Sequence, residues 1–139
     1  MKKTKCSKSD LVRIKQLLRE LSGKTVELDK EYFSEVLAQD HFYLLTARQT
    51  GNIVGMASIY FVRTLKGLKG YIDNVVVDNR HRGKGLGQDL IKRLIILAKR
   101  KGAKYIDLTS KPSRIEANLL YQKLGFKNRK TNVYRLDLK

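Results

Sequence analysis

Val75-Val76-Val77-Asp78-Asn79-Arg80-His81-Arg82-Gly83-Lys84-Gly85-Leu86-Gly87 decides how this chain is read. The stretch begins as an apolar, β-branched run and passes into a basic, glycine-rich turn. It must end in a helix, because Leu86, Leu90, Ile91, Leu94, Ile95 and Ala98 recur at helical spacing. A strand, a glycine turn and a helix start together make an anion site. Glycines let backbone N–H groups turn toward a ligand, and the helix start adds unpaired donors and a positive dipole end. Arg82 and Lys84 add full charges. Two common phosphate loops do not fit. A Walker-type loop in this frame needs glycine at 78 and a hydroxyl at 85, where Asp78 and Gly85 stand. A dinucleotide fingerprint from Gly83 needs glycine at 88, where Gln88 stands. What remains is Arg82-x-x-Gly85-x-Gly87.

Outward from this loop the chain alternates helical and extended patterns. Asp10 to Glu20 carries apolar residues at helical period, with Ser9 or Asp10 as a candidate cap and Gly23 as the stop. Asp29 to Gln39 reads as a shorter helix. His41–Arg48 and Ile53–Arg63 read as a hairpin about Gln49-Thr50-Gly51-Asn52, and Tyr71–Val77 as a central strand after a turn over residues 65–70. The helix from the glycine loop ends at Lys99-Arg100-Lys101-Gly102. Tyr105–Leu108 follows as a short strand. Ser113-Arg114-Ile115-Glu116 reads as a capping box opening a helix to Leu124, and Phe126–Asn128 and Thr131–Leu138 as closing strands. The expected fold is mixed α/β (α+β-like), with antiparallel hairpins and a crossover, in one domain over residues 1–139.

Composition narrows the function classes. The 139 residues are 42% hydrophobic and 31% charged, enough for a packed core, and the apolar runs are too short to span a bilayer. The basic N-terminus, Met1 to Ser7, is not followed by an apolar h-region, so no secretory signal is expected. Cys6 is the only cysteine, which excludes an internal disulfide and a cysteine-based metal site and fits a reducing cytoplasm. In a basic terminus expected to fray, Cys6 is a poor candidate nucleophile. The net charge of +17 points to acidic partners: nucleic acid, anionic lipid or a polyphosphate. That charge is uneven. Residues 27–40 hold five of the 13 acids, Glu27, Asp29, Glu31, Glu35 and Asp40, whereas residues 80–104 hold nine cations against Asp89.

The glycine loop resembles the pyrophosphate-binding loop of the GNAT superfamily of acetyl-coenzyme A-dependent N-acetyltransferases. The likeness continues in Asn118-Leu119-Leu120-Tyr121-Gln122-Lys123-Leu124-Gly125-Phe126, which is similar to that family's second motif. It covers about residues 70–139, and the N-terminal half resembles the family less. The first strand of the family would be squeezed into Lys3 to Cys6 here.

The resemblance implies acetyl-coenzyme A as co-substrate and an amine acceptor. Two parallel strands, Tyr71–Val77 and Tyr105–Leu108, would splay apart. The main chain of Val75, Val76 and Val77 would hold the pantetheine arm, and an N–H near Val75 would polarise the thioester carbonyl. The N–H groups of Arg82, Gly83, Lys84, Gly85, Leu86, Gly87 and Gln88 would hold the diphosphate. Tyr121 takes the general-acid position and Asn118, one helical turn earlier, contacts the cofactor. Asp73 matches a position where the family often has the base. A plain structural hydrogen bond for Asp73, or a relaying water, stays open, because a bulge in this strand would upset side-chain parity. His81 is read as a surface residue or phosphate neighbour. The acidic run at 27–40 would draw a cationic amine, or be only a solvated helix face. Two rivals stand beside this reading: a basic nucleic-acid- or ribosome-associated module, for which no motif is visible, and a catalytically silent coenzyme A-binding domain. Relatives often dimerise, and no feature of the sequence decides for or against a homodimer.

Overall fold

A computed structural model describes residues 6–139. They fall into two compact units, one running to Thr109 and the other from Ser110 to Lys139. In the first, helices α1 (Lys8–Ser22) and α2 (Lys30–Ala38) precede strands β1 (Phe42–Gln49), β2 (Asn52–Thr64) and β3 (Gly67–Val77). Helix α3 (Leu86–Lys101) and strand β4 (Tyr105–Asp107) complete it. The four strands pair in the order β1-β2-β3-β4, antiparallel except for the parallel β3–β4 pair. The parallel pair is the one joined by a helical crossover, as its geometry requires. This is the mixed α/β architecture expected from the sequence.

Apolar burial places the layers. Ile53, Val54, Met56, Ala57, Ser58 and Ile59 of β2 are all buried, so both pleat sides of that strand are covered. Helices α1 and α2 contribute Ile14, Leu17 and Phe33 to a cluster with Leu44, Ile53, Met56 and Val76. Helix α3 packs on β1, β2 and β3 and buries Leu90, Ile91, Leu94, Leu97 and Ala98. Gly55 lies beneath this helix, with room for ordinary contact only. A Cβ there would lie 3.5 Å from the Leu90 side chain and 3.4 Å from the Val76 carbonyl oxygen. No helix among the described residues is long and apolar enough to cross a membrane.

Several boundaries differ from the sequence reading. The cap of α1 is Ser7, whose hydroxyl accepts from the Asp10 N–H while the Asp10 carboxylate accepts from the Ser7 N–H. Asp10 is thus the second half of a capping box. The strand expected over Lys3–Cys6 falls largely outside the described residues. Cys6 itself packs against the α1–α2 cluster, and burial followed by the charge of Asp10 pushes its thiol up. A half-buried thiol with a raised pKa is a poor nucleophile for a different reason from fraying. Strand β3 starts at Gly67 rather than Tyr71, because Gly67–Gly70 pairs with Phe61–Thr64 of β2.

The second unit contains helix α4 (Ile115–Lys123). Its cap is Arg114, which makes no side-chain capping bond. The expected Ser113–Glu116 capping box therefore does not form; the helix starts one position too late for that register. Gly125, at φ +99°, ends it as expected. The closing strands read from Phe126–Asn128 and Thr131–Leu138 are also corrected. Those residues carry no strand pairing among the described residues, and Val133, Tyr134, Leu136 and Leu138 are 75–88% exposed. Extended backbone without a ladder partner is not a strand.

Candidate active site

The site begins where the sheet opens. β3 and β4 pair only at Lys69–Tyr105, Gly70–Ile106 and Tyr71–Asp107. β3 then continues to Val77, while β4 has ended. The Tyr71 hydroxyl and Thr109 Oγ1, 3.2 Å apart, close the last contact before the opening. Beyond Tyr71, β3 pairs with no further residue of β4. An extended ligand carrying amides of its own can pair with such an edge.

A bulge sits inside the opening. On β2, Met56 and Ser58 are two positions apart; their partners on β3, Val76 and Asp73, are three apart. The extra residue is absorbed at Asn74, whose φ is +53°. Asn is among the few residues that tolerate the left-handed region. Two bonds hold the turn: Asp73 Oδ1 accepts from the Asn74 N–H at 2.9 Å, and the Ser58 hydroxyl donates to the Asp73 carbonyl at 2.9 Å. The bulge re-aims the backbone at the position where chemistry was expected. Asp73 is exposed, and its carboxylate makes the local structural hydrogen bond that the sequence reading left open.

The glycine loop follows directly. Gly83 and Gly85 have φ +78° and +81°, and a Cβ at either would meet nothing within 4 Å. These glycines are required by backbone angle rather than by crowding. Gly85 caps α3 with no side-chain capping bond, and its carbonyl accepts from the Asp89 N–H at 3.0 Å. A helix start with no capping side chain leaves its dipole end for another anion. Arg82 and Lys84 are exposed, and Arg82 Nε donates to the Val77 carbonyl at 3.0 Å, bracing the loop against the strand end.

Asp78 anchors the loop from beneath. It is 2% exposed, caps the short 3₁₀ turn Asn79–His81 and accepts from the Arg80 N–H at 2.9 Å. Its carboxylate also pairs with Arg13 of α1 and with the Arg80 side chain. The Arg80 backbone and side-chain bonds, then Arg13, hold its carboxyl far below the ordinary carboxylate range. His81 was expected as a surface residue or a phosphate neighbour, and the first of these does not hold. Its ring is mostly covered, with Nδ1 3.9 Å from Asp78 Oδ1.

Sequence reasoning missed one group. Tyr60 and Tyr71, cross-strand partners, stack with ring centroids 5.1 Å apart. Burial, then the neighbouring Tyr71 and Asp73, raise the Tyr60 phenol. Tyr71 and Asp73 alternate onto one side of β3, so two phenols and a carboxylate gather beside the opening. Only the β2–β3 register reveals this, and register is not written in either strand alone.

Of the residues expected in the site, the first unit joins Asp73, Val75–Val77 and Arg82–Gln88 along one strand–loop–helix path. Asn118 and Tyr121 belong to the second unit. There, Asn118 Nδ2 donates to the Lys111 carbonyl at 2.9 Å. Tyr121 is 6% exposed, lies edge-on to Phe126 with centroids 6.0 Å apart, and has its phenol raised by burial.

Comparison with known proteins bears on the family and the fold. The model of the acetyltransferase (GNAT) family matches residues 11–126. Glucosamine 6-phosphate N-acetyltransferase of Trypanosoma brucei brucei is 39% identical over 93 residues, 64% of this chain and 60% of that protein. A putative ribosomal protein bS18-alanine N-acetyltransferase of Bacillus subtilis is 27% identical over 94 residues, 68% of this chain and 60% of that protein. The chain thus spans about 60% of the length of these two relatives. The crystal structure of glucosamine-6-phosphate N-acetyltransferase from Arabidopsis thaliana superposes with a TM-score of 0.79 at 26% identity, over 96% of this chain and 95% of that one.

Proposed function

Because the chain belongs to the GNAT acetyltransferase family, whose members use acetyl-coenzyme A, we propose that it transfers an acetyl group from that donor to a primary amine by direct attack. The observation that carries this reading is the early end of the β3–β4 ladder at Tyr71, followed along the same strand by a loop with two left-handed glycines. The residues present fit the donor. The edge at Val75–Val77 suits the amide-bearing pantetheine arm. The loop from Arg82 to Gln88, open where glycine side chains would stand, suits a diphosphate. Asn118 is assigned to the cofactor by family position alone.

The donor supplies an electrophilic acyl carbon and a thiol leaving group. The chain must then manage two protons. A lysine-like amine with a pKa of about 10.4 is almost wholly protonated at neutral pH, so a base or a water must strip it. Asp73, exposed beside the bulge, is our candidate, directly or through water. The departing thiolate needs a proton, and Tyr121 holds one, since burial keeps its phenol neutral. The Tyr60–Tyr71 pair with Asp73 offers the acceptor an aromatic wall and a carboxylate. That suits an amine, whether on a sugar phosphate or at a protein N-terminus, the acceptor types in the relatives' names. A preference for cationic amines rests on Glu27, Glu31, Glu35 and Asp40, all exposed; Asp29 is occupied in capping α2.

Calorimetry with acetyl-coenzyme A, then thiol release over a panel of glucosamine 6-phosphate, alanine-terminated peptides, polyamines and aminoglycosides at two salt concentrations, tests the reading. Saturable binding with turnover on one acceptor class supports it. Binding without turnover on any amine would leave a silent coenzyme A domain, and no binding would remove the assignment.

A further inference from the structure

Helix α3 carries one face that the proposed chemistry does not use. Its inner side goes to the core, through Leu90, Ile91, Leu94, Leu97 and Ala98. The helical period then fixes what faces outward: Lys92, Arg93, Ile96, Lys99 and Arg100, all exposed. Ile96 is one turn from each of the four cations, so they frame it, the two pairs lying one heptad, about 10 Å, apart. The ion pairs of the described residues use Asp10, Asp78 and Asp107 and include none of these four. Asp89, in the first turn, stands one turn before Lys92 and Arg93 and is paired with neither. Lys99 and Arg100 answer the negative end of the helix dipole, but Lys92 and Arg93 lie too far from that end to do so. A solvated helix face ordinarily gains from alternating signs, whereas this one repeats a single sign and repels itself. Two further cations continue the band past the helix end. The Lys104 N–H donates to the Leu68 carbonyl at 2.9 Å, and its side chain runs along Gly67, next to Lys66 in the β2–β3 turn. Lys66 and Lys104 are both exposed.

We propose that this band docks the phosphate backbone of a nucleic-acid duplex, of either sugar. A net charge of +17 attracts any polyanion, so the arrangement of the band decides which one fits. A membrane surface takes an amphipathic helix by its apolar side. Here that side is in the core, and Ile96, 49% exposed, is the one large apolar residue that α3 shows to solvent. A single strand is held by bases stacked on open aromatic rings. The nearest ring, Tyr43, is covered by Lys101, whose Nζ stands 5.0 Å from the ring centroid. A duplex asks for neither feature. It offers rigid rows of phosphates, which cations at fixed spacing along a helix can meet. Backbone contacts carry no sequence information, so the band would bind duplexes of any sequence alike. Cations from Lys92 to Lys104 leave Arg82–Gln88 free, so a duplex and acetyl-coenzyme A should bind together.

Fluorescence anisotropy of short labelled RNA and DNA duplexes, titrated with the full chain over a series of salt concentrations, tests the docking. Roughly four to six phosphate contacts should give a slope of log affinity against log salt of about −4 to −5. Lys92→Gln with Arg93→Gln alters exposed side chains, so the fold should persist by circular dichroism. Affinity should fall at least roughly 10-fold, and the slope should shrink by about 2. Lys8→Gln with Lys15→Gln removes the same charge from exposed positions of α1 and should change affinity by less than about 3-fold. No binding at low salt overturns the proposal. Equal losses in the two variants overturn it as well, because net charge alone would then account for binding. So does tighter binding to a single strand of the same sequence, to phosphatidylserine vesicles or to polyglutamate. Displacement of the duplex by acetyl-coenzyme A overturns it by moving the contact to the glycine loop. None of these readouts depends on acetyl transfer, so the proposal and the enzymatic reading fail separately.

Discussion

Residues up to Thr109 and residues from Ser110 onward treat their apolar side chains in opposite ways. In the first unit Leu17, Ile53, Ile59, Ile91 and Leu94 are completely covered. In the second, Ile115, Leu119, Val133, Tyr134, Leu136 and Leu138 are 60–88% exposed, and Tyr121 alone is classed as buried. The first unit therefore carries its own core. The second lays out apolar surface that needs something else to cover it, because roughly 30 residues cannot enclose a core unaided. The proposed labour divides similarly: donor binding rests mainly on the first unit, with Asn118 added from the second, and proton delivery on Tyr121 in the second.

Substitutions that separate the two units test that contrast. Leu94→Ala, at full burial, should lower the unfolding free energy by about 3 kcal/mol. Leu136→Ala should stay within about 0.5 kcal/mol, because that side chain is exposed. Denaturant titration of both variants gives the comparison, and equal losses would break it. Tyr121→Phe removes one hydroxyl from the second unit. Turnover should fall about 100-fold while acetyl-coenzyme A affinity, read by calorimetry, changes little. A loss of affinity with turnover intact would move Tyr121 from proton delivery to binding.

Acid provides a smaller test confined to the first unit. The Arg48 hydrogen bond, then the Ser7 N–H, pull the Asp10 carboxyl down to about 2. A group depressed in the folded state stabilises above its unfolded value, about 3.9, and that contribution disappears as pH falls through the folded value. Between about pH 4 and pH 2 the wild type should lose about 1–2 kcal/mol that Asp10→Asn lacks from the start, measured as the difference between their pH–stability curves. An effect of similar size is expected at the loop. Gly85→Ala forces a Cβ into a left-handed angle at a cost of about 1–2 kcal/mol, with open space around it. Donor affinity should fall about 10-fold by calorimetry with the fold intact.

What the sequence disclosed follows the range of the interactions concerned. The glycine loop, the α3 face and the Gly102 stop depend on neighbours within a few residues, and they stand where the periodicity put them. The opening between β3 and β4 was expected only from family likeness, since a ladder's end depends on two distant segments. The bulge at Asn74 and the Tyr60–Tyr71 stack needed the β2 register. Alternation over Thr131–Leu138 suggested a strand that the structure does not form. A pattern specifies a face, however, and whether an edge exists to receive it lies outside the segment. The Ser113 box failed because capping depends on a one-residue choice of helix start, which local composition does not decide.

Asp78 ties together parts that the chain order keeps 65 positions apart: Arg13 on the first helix, and the turn that leads into the glycine loop. A single carboxylate thus acts as the latch for both. Strong acid, by protonating it, should free the N-terminal helix and unseat the glycine loop, the proposed diphosphate site, in one step. Loss of helix packing and loss of donor binding on acidification should then share a midpoint, rather than proceed as two independent failures.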